Sequence, residues 1–341
     1  LGDVYKRQVK YKDGTDVEGA VGISTHGNTA YILLANGTVA VFGEEYDNQN
    51  YASIVSGLNN ILQVSGNYAL SISGEVWKMS KDNIPTKVMG YKDDNGNELS
   101  ILKIAHGTNH LLALDTNGNV WTLGANEHGQ LGTNSRTAST VPVKVYKGEQ
   151  NSGDSYLSGI VDISASKFVS AAIDVNGDIY RWGANEYGQL GDGSVSCAYE
   201  PINVTALNGK DIVSVHAGEY HSIALTRDGE VYTWGHNDYG QLGLGNASIV
   251  VSTPQKVESL PEIVSISAGK QHTMVLGADG YVYSFGDNSL GQLGAPSKDT
   301  SKRSSTPVVA QGLNKVISIS IGAGGSATKA CLLYTSPSPR D

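Results

Sequence analysis

Three histidines, His110, His221 and His272, stand in the same slot of three similar segments. Carried on neighbouring units, they could line a common rim or channel, but ligation needs side chains converging within about 2.1 Å of one ion. A repeated histidine at a strand start, bonding to backbone, is the plainer expectation. Gly183 to Gly188 has the G-x-x-x-x-G spacing of a phosphate loop, which continues with Lys and Ser or Thr and opens a helix. Here Gln189-Leu190 follows, and the spacing recurs along the chain, so a structural turn is expected. Asp174 to Asp178 and Asp93 to Glu98 have the Asp, Asn and Gly content of calcium loops without the EF-hand's Gly and Glu positions. The first reads as a hairpin turn, and the second stays a candidate for a weakly held calcium ion. There is no G-x-S-x-G elbow, Cys197 has no evident activating partner, and Glu44-Glu45 are adjacent, which does not set them on one strand face. The expectation is a chain that is not an enzyme and that carries no metal or cofactor.

The segment that recurs is Trp234-Gly235-His236-Asn237-Asp238-Tyr239-Gly240-Gln241-Leu242-Gly243. It returns from Trp182 to Gly191, from Leu123 to Gly132 and from Phe285 to Gly294. Four matches in register are an internal repeat, which must be recognised before any one residue is interpreted. At equivalent tips the copies carry Glu127-His128, Glu186-Tyr187, Asp238-Tyr239 and Ser289-Leu290. Tyrosine buries interface area at low entropic cost, so Glu127, His128, Glu186, Tyr187, Asp238, Tyr239 and Leu290 are the candidate contacts for a protein partner.

Before each such segment lies an apolar run, a turn and a second apolar run. The turn slot holds Asn36-Gly37, Ser73-Gly74, Asn117-Gly118, Asn176-Gly177, Asp228-Gly229 and Asp279-Gly280. These pairs suit the positive φ angles of a type I′ turn, so six β-hairpins are expected. A further apolar run precedes most hairpins, as at Ile61, Ile101, Ile160, Ile212, Ile263 and Val316. A fourth follows, often after Pro, as at Pro142 and Pro254. Gly177, Gly229 and Gly280 recur about every 51 residues, a period of propeller blades. A four-stranded sheet apolar on both faces is covered when such sheets stack radially.

The pattern Gly-x-Val-x-x-Trp-Gly-x-Asn-x-x-Gly-Gln-Leu-Gly, preceded by His-Ser-x-Ala-Leu, resembles the RCC-type repeat named for the regulator of chromosome condensation. The resemblance implies an all-β, seven-bladed propeller, here with six whole repeats and an incomplete closing blade. Residues 9–19 would be a last strand and residues 316–330 a first strand. The first two units depart from the pattern: Glu44-Glu45-Tyr46 follows Phe42-Gly43, and Met79-Ser80 replaces Trp-Gly. Family members include exchange factors for small GTPases, parts of larger signalling proteins and secreted bacterial proteins. Fold alone does not choose among them.

Composition agrees with a turn-rich β protein: 42 Gly, 18 Tyr and only 3 Phe in 341 residues. A net charge of −9 argues against nucleic acid, whose phosphates demand Lys and Arg. No apolar stretch reaches the length of a membrane span. Residues 1–8 can be back-translated so that their reverse complement, read one frame over, encodes Cys331 to Ser338. That relation resembles a sequencing adapter, so residues 1–8 and 331–341 read as foreign and residues 9–330 as the propeller. Cys197 is then the one genuine thiol. The Asn, Ser and Tyr richness points to an exported or cell-surface bacterial protein, with a cytoplasmic exchange factor as the alternative.

Overall fold

The computed structural model describes residues 9–43, 48–245, 248–295, 302–313, 315–316, 319–321 and 330–332. The foreign-looking stretches 1–8 and 333–341 and the Glu44-Glu45 pair lie outside them. The chain divides into two compact units, residues 1–89 and 90–341.

The first unit holds two four-stranded antiparallel sheets. One comprises β1 (Ala20–His26), β2 (Thr29–Leu34), β3 (Val39–Gly43) and β4 (Asn48–Ile54). The other comprises β5 (Ile61–Ser65), β6 (Tyr68–Ser71), β7 (Val76–Lys78) and β8 (Thr86–Lys87). Its short outer strands fall where Met79-Ser80 breaks the repeat. Tyr31, Val39 and Val41 of one sheet pack against Ile61, Ala69 and Met79 of the next.

The second unit holds four such sheets. The third sheet is β9 (Ile101–His106), β10 (His110–Asp115), β11 (Val120–Gly124) and β12 (Ser139–Lys144). The fourth is β13 (Ile160–Ala165), β14 (Val169–Asp174), β15 (Ile179–Gly183) and β16 (Ala198–Asn203). The fifth is β17 (Ile212–Ala217), β18 (His221–Thr226), β19 (Val231–His236) and β20 (Val250–Lys256). The sixth is β21 (Ile263–Ala268), β22 (His272–Gly277), β23 (Val282–Asp287) and β24 (Arg303–Val309). Each sheet runs in sequence order, and the first strands of successive sheets lie side by side. The middle strands are buried on both faces, as all six residues of β18 and of β19 show. The core sits between sheets: Leu112, Leu114 and Val120 meet Ile160, Ala172 and Trp182, and Ile173 and Ile179 meet Ile212, Ala224 and Trp234. Pro142 and Pro254 lie inside β12 and β20 rather than before them. These are edge strands, where a missing N–H donor is tolerated.

All six hairpins form, with a different turn. In each, the glycine alone takes positive φ, 77° to 80°, while the Asn, Ser or Asp before it does not. Gly177 N donates to Asp174 O and Asp174 N to Asp178 O, closing a three-residue loop, and the other five repeat this pair of bonds. That is a type I turn followed by a left-handed glycine bulge, not type I′. The carboxylate of Asp174 accepts from the N–H groups of Asn176 and Asp178, a bond that favours the tighter first turn.

Two further expectations change. Strand β1 had no counterpart in the sequence reading, because its residues are mostly half-buried and only Ile23 is bulky and apolar at its centre. The seventh, closing blade is not present as a blade among the described residues. Residues 10–16 form a turn closed by a Lys10–Asp16 bridge, with Tyr11 bridging to Ala52, rather than a strand. At the other end β25 (Ile319–Ile321) pairs, among the described residues, with β26 (Ala330–Leu332) in a two-stranded sheet. Val316, Ile319 and Ile321 nonetheless cover Met274, Leu276 and Val282 of the sixth sheet.

Candidate functional site

The loop after the third strand of a sheet is fixed by its own Asn and Gln. Asn126, Asn185, Asn237 and Asn288 each accept, at Oδ1, the N–H of the Leu five residues on, at 2.9 to 3.1 Å. Gln130, Gln189, Gln241 and Gln292 each accept, at Oε1, the N–H of the tip residue two before. Gly183 to Gly188 is therefore a side-chain-braced turn. Its glycines serve close packing: a Cβ on Gly188 would lie 2.6 Å from Ser252 Cα.

The Gln main chain locks each sheet to the next. The carbonyl of Gln130 accepts from Ser170 Oγ at 2.8 Å and from Trp182 Nε1 at 2.9 Å. The carbonyl of Gln189 accepts likewise from Ser222 and Trp234, and that of Gln241 from Thr273. His110 Nε2 lies 2.9 Å from Ser170 Oγ, and His221 Nε2 lies 2.8 Å from Thr273 Oγ1. Each hydroxyl spends its one hydrogen on the carbonyl, so it must accept from the histidine. The network thereby assigns the Nε2–H tautomer, and Nδ1 of both rings finds no partner among the described residues. Burial depresses His110 and His221 to about 3 and His272 to about 4. His110 and His221 are braces between sheets, and their partners are hydroxyls, not the backbone expected; His272 is buried in the same slot, and its Nε2 has no partner among the described residues.

The tips occupy a regular row. Glu127, Glu186 and Asp238 are exposed, whereas His128, Tyr187 and Tyr239 are half-buried. Leu290, in the last copy, is 73% exposed. The ring of His128 stacks on Phe168 of the next sheet at 4.5 Å, and Tyr187 meets Tyr220 and His236 of its next sheet at 4.9 and 4.5 Å. Glu219, only 10% exposed in its side chain, pairs with both Lys167 and Lys270.

The sequence showed no pairing for His128 or His236, because their partners lie about one repeat away or in the same tight turn. His128 Nδ1 is 3.3 Å from Glu186 Oε1, and His236 Nε2 is 3.1 Å from Asp238 Oδ2. Cys197 also has a neighbour the sequence did not reveal: its Sγ is 3.8 Å from Glu186 Oε1. Burial, with the Glu186 carboxylate, pushes this thiol up, so it is not an activated nucleophile. The calcium candidate does not converge. Asp93 spends its carboxylate on Asn95 and Asn97, and the exposed Asp94 reaches Lys144 at 3.3 Å. Two long inserts rich in Asp, Asn, Gly and Ser, Tyr91 to Leu99 and Lys147 to Leu157, are anchored: Tyr91 meets Trp121 edge-on, and Leu157 lies in the core. Between them opens a cleft lined by Lys92, Trp121, Lys144, Tyr146 and Tyr156.

Among the described residues no helix is long and apolar enough to cross a membrane. The chain is 34% identical to human HERC6, a probable E3 ubiquitin-protein ligase, over 232 residues, which are 67% of this chain and 22% of that protein. It is 36% identical to the ultraviolet-B receptor UVR8 of Arabidopsis thaliana over 198 residues, 58% of this chain and 43% of that one. The chain thus spans less than half the length of these curated relatives. Among solved structures, Prp20p of Saccharomyces cerevisiae superposes with a TM-score of 0.75 at 20% identity, covering 89% of this chain and 80% of that one. Human WBSCR16 gives 0.74 at 19% identity over 90% and 86% of the two chains. These likenesses assign the four-stranded sheets to the blades of a β-propeller. The family model described as the RCC1-like domain matches residues 4–328, and the chain belongs to that family.

Proposed function

We propose that the chain is a protein-binding propeller, the non-enzymatic recognition part of a larger protein, and that the loop tips are its contact surface. The observation that carries this reading is the display of Glu127, Glu186 and Asp238, each exposed, one per sheet, on turns braced by Asn and Gln. A surface held rigid before docking loses little conformational freedom on binding. Half-buried aromatic groups rimmed by charge are also what protein interfaces favour. Fold relatives support a binding role: Prp20p is described with its binding to Gsp1p and histones, and yeast RCC1 (Prp20) in complex with Kap60. The Asn, Ser and Tyr richness supports an exported or surface setting.

The test compares the immobilised chain with its E127K/E186K/D238K variant in capturing proteins from fractions of the source cells. A partner from the envelope or extracellular fraction, retained by the parent and lost by the equally stable variant, is expected. Equal retention by both would remove the tips from the interface. Capture of a small GTPase with accelerated nucleotide release would replace this reading with that of an exchange factor.

A further inference from the structure

We propose that His128, Glu186 and Cys197 form a binding site for a zinc-class divalent cation that clasps the third and fourth sheets together. The three ligand atoms, a ring nitrogen, a carboxylate oxygen and a sulfur, all lie within 4.8 Å of one another. Two edges of this triangle are fixed: 3.3 Å from His128 Nδ1 to Glu186 Oε1, and 3.8 Å from Cys197 Sγ to the same oxygen. Around a tetrahedral ion with Zn–N and Zn–O near 2.1 Å and Zn–S near 2.3 Å, such edges measure about 3.4 and about 3.6 Å. Two edges already stand at coordination spacing; the third, from His128 Nδ1 to Cys197 Sγ, lies within 4.8 Å and closes to about 3.6 Å when the ion binds.

Each ligand is held by the fold. The His128 main chain is tied to Gln130, and its ring lies flat on Phe168. Gln189 Nε2 reaches the second oxygen of Glu186 at 3.5 Å, leaving Oε1 toward the cluster. Asn185 Nδ2 donates to Ser196 O at 3.0 Å, fixing the residue before Cys197. Asn134 N donates to Tyr199 O across the two sheets, beside the cluster. Support of this kind orients first ligands and raises affinity.

The charges also match. A thiolate and a carboxylate side by side repel, and a doubly charged cation neutralises both. Imidazole, thiolate and carboxylate together suit zinc better than the hard calcium or magnesium ions. With all three groups at most half-buried or exposed, the fourth position opens to water. The other tips hold Tyr187, Tyr239 and Leu290 where His128 stands, so the ligand set occurs at this one junction among the copies.

The site shares His128 and Glu186 with the proposed contact surface, so capture is run with a chelator present, where loss of a partner by E127K/E186K/D238K reports the surface and not the ion. The test uses the whole chain with Cys331→Ser, which leaves Cys197 as its one thiol. Reduced and freed of metal, it is titrated with Co²⁺ and then Zn²⁺. One Co²⁺ per chain with a near-ultraviolet sulfur-to-cobalt charge-transfer band, abolished when Zn²⁺ displaces it, is expected. C197S should lose the band, and H128Q and E186Q should each weaken Zn²⁺ binding by more than about tenfold. Zn²⁺ should raise the thermal midpoint of the parent and leave that of C197S unmoved. Absence of the band, its survival in C197S, or Zn²⁺ affinity indifferent to both H128Q and E186Q would overturn the site.

Discussion

The indole Nε1–H of Trp182 donates to the main-chain carbonyl of Gln130, one sheet back, at 2.9 Å. Trp234 repeats the bond to Gln189, while Phe285, buried in the same slot of the sixth sheet, has no N–H to give. The tryptophan therefore contributes one directional bond on top of its burial. Trp182→Phe should cost about 1 kcal/mol, since Ser170 still serves the carbonyl. Trp182→Ala should cost about 3–5 kcal/mol through the cavity it opens. Urea unfolding of the two variants checks the split; equal losses would show that the hydrogen bond, not the packing, dominates.

Acid should unfold the protein through its buried histidines. His110, His221 and His272 are neutral when folded, lowered by burial from 6.5 to about 3, 3 and 4. In the unfolded chain they titrate near their ordinary value. Between pH 6.5 and about 4 the unfolded chain binds more protons, so stability falls as pH falls and is fully present above 6.5. Each histidine should contribute a slope of about 1.4 kcal/mol per pH unit near pH 5. Urea midpoints from pH 7.5 to 5 measure it, and His221→Gln should reduce the slope by one proton. A slope unchanged by that substitution would refute the assignment.

Much of this was legible in the chain. Six glycines marked six hairpins, because only glycine takes the left-handed angle cheaply. The turn type was not, since Asn-Gly and Asp-Gly fit two- and three-residue loops alike. Strand β1 carries no such signal, because Val21-Gly22-Ile23-Ser24 runs from exposed to half-buried and has no apolar block. Partners across sheets, His110 with Ser170 or His128 with Glu186, are about a repeat apart, and spacing alone cannot pair them. One signal was available: Ser170, Ser222 and Thr273 recur just after the slot of the braced histidines, in the pattern of a shared hydroxyl role.

Gly191 and Gly193 separate steric from backbone cost. Both have φ near 87°. A Cβ on Gly191 would meet Trp234 Nε1 at 2.7 Å, whereas one on Gly193 would touch only Thr253 Cγ2 at 3.7 Å. Gly193→Ala should cost about 1 kcal/mol of backbone strain. Gly191→Ala should cost about 1–3 kcal/mol more by overpacking the indole. Thermal midpoints of both variants test this, and equal losses would mean the indole moves aside freely.

Arg181 breaks the pattern of its neighbours. Thr122, Thr233 and Ser284 occupy its place in the other sheets and donate to the carbonyls of Leu131, Leu242 and Leu293. Arg181 is fully buried, and none of its guanidinium nitrogens has a hydrogen-bond partner among the described residues. Its favourable neighbour among the described residues is the Trp234 ring, 5.3 Å from Cζ. Burial lowers its pKa to about 9, so the charged form is disfavoured by folding. That cost is present below pH 9 and is relieved as pH rises toward the unfolded value. A cation–π contact is worth up to about 2 kcal/mol, less than an unpaired buried charge loses. Arg181→Met keeps the length and the contact with Trp234 while removing the charge. It should raise the urea midpoint at pH 7, by about 1–2 kcal/mol in stability. A lower midpoint would show that the guanidinium stabilises the fourth and fifth sheets after all, through a partner worth identifying by testing whether added anions restore the difference.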